Sequence, residues 1–262
     1  CMRRAESYAA LAPLLSAQLR RGVVTNCFLS AEDYAREIEN GLLFEQGEGF
    51  LLLLRQRPGH LILNFYLHPD ASLRFPALPL PAVTELSCRE KDRAAMAQAQ
   101  AALEAAGFTD QFRRLRRTRA AVPAPEAGPP DDVPFEAAQA FLCAQFDPLT
   151  GCIPPEQALR GAVSRGETLC LADAHGVAGM LHYAPGRALC EIRHLAVRGD
   201  CRGHGMAQRL LAMMTARTGG QKCAVWARQG NMPAERFYEK NHFQPDGWSS
   251  VVLRLEQRSF EP

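Results

Sequence analysis

Apolar residues recur with a period near 3.6 in some segments of this chain and near two in others. In the second half, 133–146 and 153–166 carry the helical pattern. The latter opens on prolines suited to a first turn and closes at Gly166. Three alternating runs follow, 167–173, 177–184 and 188–197, separated by the turn formers "AHG" and "PGR", which predicts a three-strand meander. A helix over 206–217, a short strand over 222–227, a helix over 232–240 and a closing strand from 248 complete this half. The first half predicts helices near 8–20 and 31–40, a hairpin around "RPGH" and a strand over 82–88. A helix over 92–106 and a strand over 109–119 follow. The helix ends "EAAGF" (104–108) and "EKNHF" (239–243) each lead into an arginine-bearing strand, so the chain reads as a diverged internal duplication.

Between the halves, 120–134 holds five prolines and several acids with no apolar period, the composition of a semi-rigid linker. The expected division is 1–119, a linker over 120–134, and 135–262. With 262 residues there is room for two modest domains, and a net charge of +2 gives no global field directed at nucleic acid or membrane. Nine cysteines, an odd number without CxxC spacing, suggest buried thiols in a reducing cytoplasm rather than a disulfide framework or a zinc site. His60, His68, His175 and His182 have no ligand spacing, so no metal is expected. No 18-residue apolar run is present, and none of the chain reads as a membrane span or signal peptide. The five arginines between Arg113 and Arg119 read as an ion-paired strand or, alternatively, as a surface for an acidic peptide or RNA.

The chemistry concentrates in the second half. "RGHGMA", 202–207, places two glycines directly before a helix. The first turn of a helix leaves four backbone N–H groups without internal partners, and the helix dipole makes them an anion site. Glycine lets a phosphate reach that backbone with no Cβ in the way. The bland alternative is a flexible turn. A second motif, "NMPAERFYEKNHF" (231–243), matches N-x-x-A-x-x-F-Y-x-K-x-x-F. Ala234 and Phe237 are expected in the core, and Tyr238 is either a core ring or a proton donor.

Together, "LAV", "RGHGMA", the helix, the short strand and the 231–243 motif resemble the GCN5-related N-acetyltransferases (GNAT). The likeness is good over 168–257 and weaker over the first half, which resembles a degenerate GNAT-like copy without the glycine cradle. The resemblance implies an α+β fold, a mixed and mostly antiparallel twisted sheet flanked by helices, in two GNAT-like halves. Two splayed strands would form a V that admits the pantetheine arm of acetyl-CoA. It further implies that the backbone of Leu195, Ala196 and Val197 pairs with pantetheine amides, and that Arg202, Gly203, His204, Gly205, Met206 and Ala207 hold the pyrophosphate. Asn231 would bond the cofactor arm and Tyr238 would lie near the thioester sulfur. The expected function is acetyl-CoA-dependent N-acetylation of a primary amine on a small molecule or peptide. The alternative is an acyl-CoA-binding sensor or scaffold without turnover.

Two departures from the family pattern bear on mechanism. Where many members carry a carboxylate before the "LAV" valine, this chain has Arg193 and His194. The base is therefore His194, Glu191 or a water relay. Strand alternation puts Glu191 on the face opposite His194 and shared with Arg193, where the two could form an ion pair. In place of the usual glycine at the end of the 231–243 motif stands His242, which suggests an altered helix exit.

Overall fold

The computed structural model describes residues 2–19, 22–69, 71–75 and 78–256. Cys1, Arg20, Arg21, Asp70, Pro76, Ala77 and residues 257–262, which include the end of the strand expected from 248, lie outside them. The chain forms two compact units, one from 1–114 with 247–262 and one from 115–246. The expectation differs at both ends of the second unit, because the chain changes unit inside two strands rather than at the proline-rich segment.

The first unit contains β1 (Arg3–Arg4), α1 (Tyr8–Gln18), β2 (Val24–Thr25), α2 (Ala31–Glu39), β3 (Leu43–Gly47), β4 (Phe50–Arg57), β5 (His60–Leu67), β6 (Ala82–Arg89) and α3 (Arg93–Ala105). It also takes the start of β7 (Thr109–Arg119) and most of β12 (Gln244–Leu255). Its strands run in the order β1-β3-β4-β5-β6-β12-β7, with β2 against β5. The β5/β6 pair is parallel, and the β12/β6 pair is antiparallel. The run "FLLLL" lacks polar alternation because both faces of β4 are covered. Leu52 and Leu54 pack with α3, Val251 and Leu253, whereas Leu51 and Leu53 pack with α1 and α2. α2 is held at its start by a reciprocal cap between Ser30 and Asp33. The short strands β1, β2 and β3 were not legible in the apolar pattern, being too brief to show a period.

The second unit contains the end of β7, α4 (Phe135–Gln145), α5 (Glu156–Ser164), β8 (Thr168–Asp173), β9 (Gly176–Ala184), β10 (Cys190–Val197), α6 (Met206–Arg217), β11 (Cys223–Arg228) and α7 (Met232–Lys240). The strand order is β7-β11-β10-β9-β8. One face packs on α6 and α7 through Leu181, Ile192, Leu210, Met214 and Val225. The other packs on α4 and α5 through Ala138, Leu142, Leu159 and Met180.

The 120–134 segment is laid against this unit rather than spanning free. Val122 donates its N–H to Gly220 O at 2.9 Å, Asp131 donates to Cys170 O at 2.9 Å, and the Asp131 carboxylate accepts the Ala172 N–H at 2.8 Å. The arginines of β7 are engaged within the chain: Arg113 with Asp110, Arg114 with Glu85, Arg116 with Asp246, Arg117 with Glu239, and Arg119 with Thr215. This is the ion-paired reading of that strand.

The exit of α7 is not altered by His242. That residue adopts φ +63, and it and Phe243 donate their N–H groups to Glu239 O and Tyr238 O. Gly107 and Phe108 make the same pair of bonds at the end of α3, with Gly107 at φ +104. The two helix ends share one left-handed closure, so the backbone conformation that glycine favours is imposed on a histidine. Among the described residues, no helix is long and apolar enough to cross a membrane, and no group of three metal-ligating side chains is assembled.

Candidate functional site

β10 and β11 run parallel and pair at only three positions, Cys190↔Cys223, Glu191↔Ala224 and Ile192↔Val225. Beyond that ladder β10 continues to Val197 and β11 to Arg228 without pairing to each other, so the two strands separate toward their C-terminal ends. On its other side β10 stays paired with β9, with Leu195↔Leu181, Ala196↔Met180 and Val197↔Gly179 in register. The β11-facing edge of Leu195, Ala196 and Val197 thus has no strand partner and lines the gap, with Val197 O taken by the Arg202 side chain.

At the end of β10 the chain turns into α6. Gly203 and Gly205 have φ of +81 and +76, and beyond its own chain neighbours no heavy atom lies within 4 Å of where a Cβ would stand on either. Gly205 is the N-cap of α6 and no side chain caps that helix. The first-turn N–H groups, which include Met206 and Ala207, therefore face space that only glycine leaves open. Arg202 and His204 are exposed beside it, with Arg202 Nε donating to Val197 O at 3.3 Å. Sequence reasoning missed the residue that ties this turn down. Arg198 donates to Asp173 at 2.6 Å, to Asp200 at 2.7 Å and to Val177 O at 3.2 Å. Those bonds hold the Asp173 carboxyl down at about 2, chiefly through Arg198 and then through the His175 N–H. An arginine directly after "LAV" with an acid two residues on was the available signal.

Asn231 caps α7, its Oδ1 accepting the Ala234 N–H at 3.3 Å, which leaves its NH2 group as the donor toward solvent. Tyr238, one turn from the helix end, is 6% exposed and belongs to the apolar cluster of Ile192, Val225 and Ala227, with Leu195 packed against it. Phe237 and Phe243 meet its ring edge-on, both at 5.3 Å. Burial raises its hydroxyl well above the usual phenol range, with the nearby Cys223 adding to the shift. Tyr238 therefore keeps its proton across the physiological range.

A β-bulge changes the face assignment made from alternation. The β9/β10 register runs Glu191↔Ala184, Ile192↔Tyr183, then His194↔His182, so Arg193 is an extra residue. Opposed residues share a face, and Ala184 and His182 are two apart on β9. Glu191 and His194 therefore lie on the same face, the one toward α4 and α5, which corrects the opposite-face expectation. Glu191 pairs with Arg193 at 3.1 Å.

His194 is 4% exposed, with Phe146 edge-on at 4.7 Å. Its Nε2 lies 2.8 Å from Gly151 O, and its Nδ1 lies 3.1 Å from Nδ1 of His182, whose ring stacks parallel to it. A carbonyl only accepts. In the neutral pair His194 therefore carries its proton on Nε2 and accepts at Nδ1 from His182. Both ring nitrogens are engaged, and the pair fastens the loop between α4 and α5 to β10. Burial, followed by the His194 charge, pushes His182 down to about 4.

Residues 164–245 match the family model described as Acetyltransferase (GNAT) domain. Over nearly its whole length the chain is similar in fold to a GCN5-related N-acetyltransferase from Sphaerobacter thermophilus. The two share 16% identity and a TM-score of 0.56, covering 99% of this chain and 96% of that one. It is likewise similar to an acetyltransferase of the GNAT family from Colwellia psychrerythraea, at 16% identity and a TM-score of 0.53, covering 98% and 100%. At such identities the likeness speaks to fold alone. No curated protein sequence matches the chain at a significant level.

Proposed function

From the premise that residues 164–245 form a GNAT acetyltransferase domain, we propose that this chain is an acetyl-CoA-dependent N-acetyltransferase acting on a primary amine of a small molecule or peptide. The observation that carries the reading is the gap between β10 and β11 opening beside an uncapped helix start with two left-handed glycines. Those glycines leave the space a Cβ would fill, so the residues present fit a pyrophosphate. Bound acetyl-CoA would supply an acetyl group activated as a thioester.

The chain's own residues then have distinct tasks. The N–H groups of Gly205, Met206 and Ala207, with Arg202 and His204 at the rim, meet phosphate charge. The edge of Leu195, Ala196 and Val197 that no strand covers offers strand-like hydrogen bonds to an amide-bearing arm, and the Asn231 NH2 adds a donor. Tyr238 holds a proton on Oη for a departing thiolate. An alkyl amine is neutral only about once in 2,500 molecules at pH 7, a barrier of about 4.6 kcal/mol that a base relieves by taking the proton in place. With both nitrogens of His194 engaged, we assign that task to the Glu191 carboxylate or to water it orders. His194 and His182 position the α4–α5 loop.

One observation favours a second reading, an acyl-CoA-binding protein without turnover: Glu191 is itself held by Arg193. Transfer to a panel of amines separates the two. The shared premise is tested by thermal melts. Acetyl-CoA at 100 times its Kd should add about 2.7 kcal/mol by mass action, and Gly205→Val should abolish the shift. No shift at millimolar acetyl-CoA overturns the premise.

A further inference from the structure

Two parallel strand pairs in this chain are built alike. β10 and β11 part after Ile192↔Val225, and β5 and β6 part after Ile62↔Val83. Leu61 and Cys190 hold the same ladder position, each donating its N–H to the residue before its partner, Pro81 and Lys222, both at 2.9 Å. Setting these level and passing over the extra Arg193 places Phe65, Tyr66 and Leu67 opposite Leu195, Ala196 and Val197. In the second unit that edge has no ladder with β11. In the first unit it is filled by the chain itself.

The filler is the connection between α1 and α2. β4 occupies one edge of β5 along its whole length, so β2 lies on the other edge, in the gap left by β6. Val24 pairs with Leu67 and Thr25 with Tyr66, antiparallel. Asn26 then bridges the parted strands. Its Oδ1 accepts the Phe65 N–H at 2.9 Å, and its Nδ2 reaches Leu63 O on β5 at 3.2 Å. The same Nδ2 reaches Glu85 O and Thr84 Oγ1 on β6 at 3.2 and 2.9 Å. Thr25 Oγ1 donates to Phe65 O at 2.6 Å, and Asn64 Nδ2 donates to Asn26 O at 3.1 Å. One carboxamide donates to both backbones and accepts from β5, as a secondary amide laid between them would.

The rest of this gap is equally unsuited to catalysis. Aligning the matched helix exits puts Leu103, fully buried, where the second unit has Tyr238. A leucine has no proton to give.

Resting on the reading of the second unit as an acyl-CoA site, we infer that Val24, Thr25 and Asn26 are a built-in ligand of the first unit's slot. They occupy the strand edge that corresponds to the one β10 offers to an amide-bearing cofactor arm, so the chain takes up one acyl-CoA and not two. The first unit keeps the slot and supplies its occupant.

Calorimetry with acetyl-CoA and hydrogen exchange on the full chain test this. One acetyl-CoA per chain is expected, with exchange slowed at 195–207 and unchanged at 61–67, which should be protected already. Two per chain, or slowed exchange at 61–67, overturns the inference. Asn26→Ala should speed exchange at 61–67 and 82–86 by roughly tenfold or more. Thr25→Val, a milder change that keeps the carboxamide, should do the same more weakly at 65–67. Unchanged exchange in both variants also overturns it. Absence of any binding would instead strike at the reading of the second unit, while the exchange result still decides whether the segment fills the slot.

Discussion

Ending the chain after Asp246 removes residues that sequence order assigns to the C-terminal half, yet the damage should fall on the N-terminal one. β12 pairs with β6 from Trp248↔Arg89 to Leu255↔Ala82. Val251, Leu253 and Leu255 are buried in the first unit's core beside Leu52, Leu63 and Leu86, and Ser250 donates to the Glu85 carboxylate. Burying one such side chain is worth about 1.5–3 kcal/mol. The three together carry about 5–9 kcal/mol, comparable with the whole stability of a typical domain. Removing 247–262 should therefore unfold the first unit, and the truncated chain should still bind acetyl-CoA through 195–207. Hydrogen exchange read by mass spectrometry checks this, with Trp226 as the remaining tryptophan for fluorescence. Amides of β4, β5 and β6 should lose protection while those of β8, β9 and β10 keep it. Leu253→Ala, expected to cost about 2–5 kcal/mol, should weaken the same unit in the full chain. Intact protection over β4–β6 in the truncated protein, or earlier loss over β8–β10, would refute the assignment of β12.

Tyr238→Phe should lower kcat by about ten- to a thousandfold with acetyl-CoA affinity nearly unchanged, since the ring is kept and the proton removed; steady-state kinetics showing an undiminished rate would make Tyr238 a core residue only. His182 goes from 6.5 to about 4 on folding, so the unfolded chain binds the proton first. Stability from this source is full above about pH 6.5 and falls by about 3 kcal/mol as pH drops toward 4. His182→Asn, which keeps a donor near the Nδ1 position without titrating, should flatten that part of the profile in urea melts at about pH 7.5 and 4.5, and equal slopes would count against it. His242→Gly should raise stability by about 1 kcal/mol by relieving a left-handed histidine, measured as a shift in the urea midpoint, and a loss of stability would show that the imidazole contributes more than the strain.

Local patterns determined much of this protein. The helix over Met206–Arg217 and the one over Met232–Lys240 have the bounds that apolar period, glycine and capping asparagine predict. The "RPGH" hairpin likewise forms where its turn residues stand. The helix start after two glycines was legible too, because it is a property of six consecutive residues. What the tertiary structure decided involves partners far apart in sequence. No local period says that the closing strand pairs with β6, some 165 residues earlier, because its alternation suits either unit equally. Arg193 is the extra residue where the β9/β10 register shifts, which puts His194 on the face of Glu191. His194 finds its hydrogen-bond partners in His182 and Gly151, and Asn26 finds its own on two parted strands. Periodicity reports which face of an element is apolar; which strand edge it meets is set by closing long loops around a shared core, whose entropy cost depends only weakly on their length.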